Sequence, residues 1–163
     1  MKQFESLVLA LAQALRHADL KLATAESCTG GLIAAACTAV AGSSDWFERG
    51  FVTYSNDAKT ESLGVDARLL AAHGAVSREA ALAMADGALA HSRAQLVVAV
   101  TGIAGPGGGS PGKPVGTVWL ALARRGGSAQ AELLQLSGER ASIREQTVRH
   151  ALQRLIERVT SGR

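Results

Sequence analysis

Three polar clusters interrupt the apolar runs of this chain, and each follows a segment patterned as a strand: "ESCTGG" from Glu26, "YSNDAK" from Tyr54 and "TGIAGPGGG" from Thr101. The second gathers groups suited to amide or ester hydrolysis. A serine hydroxyl is a weak nucleophile until a base removes its proton, and lysine can serve once burial or nearby positive charge lowers it from about 10.4. Lys59 and Tyr54 stand at the mouth of a strand, Tyr54 as a hydroxyl able to donate or relay a proton. "GSS", Gly42 to Ser44, supplies a serine just before that strand. The same residues also fit ordinary structure, with Ser44 capping "DWFE" and Lys59 on a solvated helix face.

The first cluster, with Glu26, Ser27, Cys28, Thr29, Gly30 and Gly31, leads into an apolar helix, so its amides are expected at a helix N-terminus that favours an anion. Ser27 or Thr29 is equally suited to cap that helix. Cys28 is a possible nucleophile lowered by the same dipole, but no histidine is near it in sequence. In the third cluster and its continuation, "GGGSPGKP" falls one residue short of a P-loop because Pro114 stands where a hydroxyl is needed. Gly107, Gly109 and Gly112 match G-x-G-x-x-G, but a strand follows where both motifs require a helix. What remains is a turn between strands, or a backbone-lined ligand loop whose glycines admit close approach of amide groups.

These clusters need a frame that brings strand ends together. Phe4, Leu7, Val8, Leu11 and Leu15 recur at helical spacing over about 4–18. "LKLATA" (20–25) reads as a strand, "LIAAACTAV" (32–40) as a buried helix stopped by Gly42, and 49–54 as a second strand. Helical pieces follow at 58–63 and 66–73, then a helix capped by Ser77 and reaching His91, and a buried strand "QLVVAV" at 95–100. "VGTVWLALA" and "AELLQLS" form a hairpin, and a helix over 139–159 ends the pattern. The expectation is one α/β domain over 1–163. Its fold class is three-layer α/β/α, with a mixed, mostly parallel sheet closed by an antiparallel hairpin. Ligands of such sheets bind beyond the carboxyl ends of the strands, where all three clusters converge.

Composition narrows the classes. The 163 residues are 47% hydrophobic but only 4% aromatic, which suits helices packed closely on a sheet. A net charge of +3, with basic residues dispersed, gives no concentrated nucleic-acid footprint. Two cysteines nine positions apart, Cys28 and Cys37, with no Cys/His cluster, argue against a zinc site or disulfide scaffold. No leader or membrane-spanning pattern is read, so a cytoplasmic protein is expected. His17, His91 and His150 read as surface or packing residues; His73, at a helix end before "GAVS", has a second place open to it at the site.

Taken in order, "TAESCTGG", "GSSDWFERGFVTYSNDAK", "HGAVS", "TGIAGPGGG", "KPVGTVWLAL" and "GERASIREQTVRHAL" resemble the C-terminal domain of the competence/damage-inducible protein CinA across nearly the whole chain. Stand-alone members of that family are nicotinamide mononucleotide amidohydrolases. The resemblance implies conversion of nicotinamide mononucleotide to nicotinate mononucleotide and ammonia in pyridine nucleotide salvage, by serine and lysine without metal or other cofactor. It assigns the nucleophile to Ser44, the base to Lys59 and an assisting hydroxyl to Tyr54, with Ser27 as second candidate for nucleophile. Thr101 and Gly102 would offer donors to ligand or oxyanion. The remaining substrate-binding set is Glu26, Thr29, Gly30, Gly31, Gly105 and Gly107. Arg140 and Arg144, four apart on one helical face, would clamp a 5′-phosphate.

The small-molecule substrate is then the expected partner, with no membrane or nucleic acid, and the family implies self-association. Longer members carry a further N-terminal domain resembling molybdopterin-binding proteins, which this sequence lacks. The alternative is a non-catalytic nucleotide- or partner-binding module linked to competence or DNA damage. A penicillin-binding type of amidase is disfavoured, because Ser55 and Lys59 are four apart where S-x-x-K needs three.

Overall fold

The computed structural model describes residues 1–162. The chain runs α1 (Glu5–His17), β1 (Leu22–Glu26), α2 (Leu32–Thr38), β2 (Phe47–Val52), α3 (Asn56–Leu63), α4 (Ala67–His73), α5 (Arg78–Ala90), β3 (Leu96–Gly102), β4 (Thr117–Arg124), β5 (Gln130–Gln135) and α6 (Arg140–Thr160). The sheet order is β2-β1-β3-β4-β5. β1 pairs in parallel with β2 and β3, while β4 and β5 form the antiparallel hairpin. The sheet is mixed and open, with β2 and β5 as its edges.

Alternation along the strands divides the core into two layers. Leu22, Leu96, Val98 and Val100 join α1, α2 and α6 in one cluster, together with Phe4, Leu11, Leu15, Trp46 and Leu152. Ala23, Ala25, Ala99, Ala121 and Ala123 face α5, which meets them with Ala80, Ala81, Met84, Ala85 and Ala88. Small side chains on both surfaces let the α5 layer approach closely, which explains a core poor in aromatics. No helix among the described residues is long and apolar enough to cross a membrane.

Several boundaries differ from the sequence expectation. β2 starts and ends two residues early, leaving Thr53 and Tyr54 beyond the strand, although the Thr53 N–H still donates to the Glu26 carbonyl at 2.9 Å. Helix α2 ends at Thr38, and Gly42 instead precedes the short 3-10 turn Ser43–Asp45 with φ 76°. Neither Ser27 nor Thr29 caps α2. Glu26 does so from the end of β1, accepting the Ile33 and Ala34 N–H groups at 2.8 and 3.0 Å. Seven residues separate Glu26 from Ile33, a pairing that only the folded turn reveals. Helix α3 begins two residues earlier than the pattern suggested, because the Ser55 hydroxyl accepts the Ala58 N–H at 3.0 Å and caps it.

Candidate active site

Strand β1 lies between two parallel neighbours reached in opposite directions, so a crevice opens at its carboxyl end. A cavity of about 190 Å³ occupies it, lined by Ser27 and Cys28 after β1, Tyr54, Asn56 and Lys59 after β2, and Thr101, Gly102 and Ala104 at the end of β3. Ala75, Val76 and Arg140 complete the wall. A larger hollow, about 430 Å³, lies at the opposite end of the sheet between β4, β5 and α6. Arg154 is paired there with Glu132 and Glu157, and the Ser161 hydroxyl is turned to the Arg158 carbonyl.

Lys59 is the central group. It occupies the first turns of α3, and a helical side chain leans back toward its own N-terminus. That direction carries its ammonium into the crevice, where the residue is 1% exposed. The Nζ atom lies 3.0 Å from Ser27 Oγ and 3.0 Å from the Thr53 carbonyl, with the Tyr54 and Ser55 carbonyls at 3.5 Å. Burial holds its pKa below the ordinary lysine range. A Cys28 thiolate would oppose this shift, but burial pushes that thiol up to about 11, so it is neutral near pH 7. As a neutral amine, Lys59 can donate its two N–H groups to backbone carbonyls and turn its lone pair to the Ser27 hydroxyl. This arrangement activates an alcohol.

Ser27 sits on a tight turn. Its N–H extends the β1–β3 ladder to the Val100 carbonyl at 3.0 Å, and its own carbonyl accepts the Gly30 N–H at 3.0 Å. Gly30 and Gly31 have φ of 60° and 97°, and two successive left-handed residues reverse the chain into α2. Below the turn, the fully buried Glu26 carboxylate accepts the Thr29 hydroxyl at 2.6 Å besides the α2 amides. Glu26 and Thr29 therefore face each other inside the protein, with no part in the cavity wall.

Across the cavity, the Ile103 N–H donates to Thr117 of β4. Backbone groups alternate sides along a strand, so the Gly102 N–H faces the β1 side, one step past the last paired residue of β1. The Thr101 hydroxyl is turned to the Ala75 carbonyl at 2.7 Å and ties β3 to the loop before α5. Gly105 contributes its carbonyl to the Arg140 guanidinium at 2.8 Å, while Gly107 stands exposed beyond the wall.

Other expected groups are distributed differently. Ser44 is exposed on the 3-10 turn before β2, at the amino end of the sheet. The six residues of β2 separate it from the Lys59 end by roughly 20 Å. The structure therefore does not bring Ser44 to Lys59; it brings Ser27. Tyr54 is 60% exposed, and its hydroxyl accepts from Arg140 Nη2 at 2.9 Å, not from Lys59 or Ser27. Arg140 thus bridges Tyr54 and Gly105 at the cavity edge. Arg144 instead donates to the Cys28 and Thr29 carbonyls at 3.2 and 3.0 Å. His73 is exposed and outside the wall, 3.7 Å from Glu79. The reading from spacing passed over Asn56, Ala75, Val76 and Ala104. Asn56 was visible inside "YSNDAK", and Ala75, Val76 and Ala104 lie inside "HGAVS" and "TGIAGPGGG", but as apolar residues they carry no chemical signal of their own.

Comparison with known proteins agrees with this frame. A family model for the CinA C-terminal domain matches residues 4–159. The nicotinamide-nucleotide amidohydrolase PncC of Pseudomonas putida is 51% identical, over 96% of this chain and 98% of its own length. A CinA-like protein of Akkermansia muciniphila is 54% identical over 88% of this chain, which spans about a third, 34%, of that longer relative. The solved competence/damage inducible protein CihA from Agrobacterium tumefaciens superposes with a TM-score of 0.92 at 52% identity, covering 94% of each chain. With its strand-end loops, sheet order and nearly full-length match, the chain belongs to the CinA C-terminal domain family.

Proposed function

We infer that this protein is a nicotinamide mononucleotide amidohydrolase of pyridine nucleotide salvage, with Ser27 as nucleophile and Lys59 as general base. The observation that carries the reading is the 3.0 Å contact between Lys59 Nζ and Ser27 Oγ at the wall of a cavity formed by three strand ends. The similarity to a full-length PncC enzyme supports the substrate. Ser27 takes the role that the family resemblance first gave to Ser44, because a base must lie within hydrogen-bond reach of the proton it removes.

In the first step Lys59 accepts the Ser27 hydroxyl proton as Oγ bonds to the carboxamide carbon. The resulting oxyanion meets amide donors at the wall, with the unpaired Gly102 N–H as one of them. Collapse breaks the C–N bond, and Lys59 returns its proton to the nitrogen, which leaves as ammonia. Water then attacks the nicotinoyl ester with Lys59 again as base, and the C–Oγ bond breaks as Lys59 passes that proton to Oγ, giving nicotinate mononucleotide and restoring the Ser27 hydroxyl. No step calls for a metal. A cavity of about 190 Å³ suits the carboxamide and pyridinium ring, with the ribose phosphate at the open edge near Arg140 and Tyr54. The phosphate would draw Arg140 from its Tyr54 partner, freeing that hydroxyl for the substrate.

Ammonia release from nicotinamide mononucleotide by the purified protein tests this. Ser27→Ala and Lys59→Met should each abolish turnover, while Ser44→Ala should stay within about twofold of wild type, as expected for a surface change. Release at the wild-type rate by Ser27→Ala, or no release by wild type, would sink the assignment.

A further inference from the structure

The turn carrying Ser27 is held at three successive carbonyls, those of Ser27, Cys28 and Thr29. Gly30 N–H takes the Ser27 carbonyl at 3.0 Å, and Arg144 Nε takes that of Cys28 at 3.2 Å. Arg144 Nη2 and the Leu32 N–H share that of Thr29 at 3.0 and 3.2 Å. In a trans peptide the N–H points opposite to the carbonyl. Fixing the Ser27 and Cys28 carbonyls therefore directs the Cys28 and Thr29 N–H groups to the other side of their planes, where neither has a backbone acceptor. The amide after a nucleophilic serine is well placed to meet a developing oxyanion. Arg144 comes from the second turn of α6, more than a hundred residues away, and is half-buried against the turn.

We propose that Arg144 is a positioning residue of the nucleophile turn: its guanidinium grips the Cys28 and Thr29 carbonyls, and because the Thr29 carbonyl shares a peptide plane with the Gly30 N–H that holds the Ser27 carbonyl, the grip aims the Cys28 amide as an oxyanion donor for chemistry at Ser27. This rests on Ser27 being the nucleophile and departs from the expected phosphate role. Two forked donors on one planar group set the orientation of two peptide planes at once, which the single point charge of lysine cannot do. Misplacement of a reacting group by about an ångström costs on the order of a hundredfold in rate.

The test uses two readouts on the full-length chain. One is steady-state ammonia release from nicotinamide mononucleotide. The other is labelling of Ser27 by a small fluorophosphonate, in which an Oγ–P bond forms, the P–F bond breaks, fluoride leaves and the hydroxyl proton passes to Lys59. Labelling needs the turn and its amides but no nucleotide. For Arg144→Ala and Arg144→Lys with wild-type circular dichroism, kcat should fall at least tenfold, KM should stay within about twofold, and labelling should slow in parallel. Added guanidinium should restore part of both rates in Arg144→Ala but not in Arg144→Lys, where the ammonium fills the space. A tenfold rise in KM with kcat and labelling unchanged would overturn the proposal in favour of phosphate binding, and unchanged kinetics would overturn it outright. If wild type labels at Ser27 but releases no ammonia, the substrate reading fails alone, and labelling of the variants still decides the role of Arg144. A wild type that never labels at Ser27 refutes a poised nucleophile turn.

Discussion

The turn after β1 and the loop after β3 face one cavity and are both rich in glycine, yet they are fixed by different means. The first is short, and its Ser27, Cys28 and Thr29 carbonyls are engaged by Gly30, Leu32 and Arg144, with the Glu26 carboxylate beneath it. The second is tethered at intervals. Gly105 is bonded to Arg140, Lys113 Nζ donates to the His73 carbonyl at 3.0 Å, and residues 106–112 are exposed. Glycine serves conformation in the turn, where Gly30 and Gly31 adopt positive φ. At Gly102, where the second loop departs, it serves close approach: an added Cβ would stand 2.6 Å from Val118 Cγ2 and 2.9 Å from the Thr117 carbonyl. Under the proposed mechanism, hydrogen bonds are concentrated where the nucleophile would be held, and exposed backbone where the substrate would enter.

The comparison predicts a steep gradient of effects. Ser27→Ala and Lys59→Met, in the rigid half, should lower kcat on the order of a thousandfold or more, read as ammonia release. Next comes pH. If Lys59 works unprotonated as proposed, then because burial holds its pKa below the free value, kcat/KM should rise about tenfold per pH unit and level off at a pH below about 10.4. The linked stability has the same sign. Between the folded and unfolded Lys59 pKa values the unfolded chain binds more protons, so this contribution to stability grows as pH rises and is absent in Lys59→Met. A kcat/KM that shows no rise on the acid side at any pH where the fold is intact would break the assigned role of Lys59.

Smaller effects should mark the supports. Glu26→Gln places an amide against the Ile33 and Ala34 N–H groups and the Thr29 hydroxyl. It should cost about 1–3 kcal/mol in chemical denaturation. Gly102→Ala should cost a similar ~1–3 kcal/mol through overpacking, because the Thr117 backbone cannot step aside as a side chain can. At the far end of the gradient, Gly112→Ala has no atom within 4 Å of the new Cβ and should change neither midpoint nor turnover measurably. Should Gly112→Ala prove as damaging as Gly102→Ala, the contrast between the halves would be lost.

Much of the fold was legible in the chain. Helical spacing of Leu11 and Leu15, the apolar run through Val97 to Val100, and the Ser77 cap, whose hydroxyl accepts the Ala80 N–H at 3.1 Å, all carry local signals. The convergence of the three clusters was legible too, because it follows from strand direction in an α/β sheet. The serine that meets Lys59 was not. The resemblance put Ser44 first and Ser27 second, and a separation of 32 positions gives no local signal that Ser27 meets Lys59. Nor was the division of labour between the arginines: helical spacing puts Arg140 and Arg144 on one face, but their partners lie on different loops.

By itself, then, the sequence determined the elements, the side chains competent for chemistry and the end of the sheet where they gather, since periodicity, capping and glycine placement act over a few residues. Tertiary structure decided which serine faces Lys59, that the lysine is buried, and that Glu26 and Arg144 brace the turn while Arg140 reaches the cavity edge. Those outcomes depend on distances across parallel strands and on desolvation, and both are set only when separate elements pack against one another.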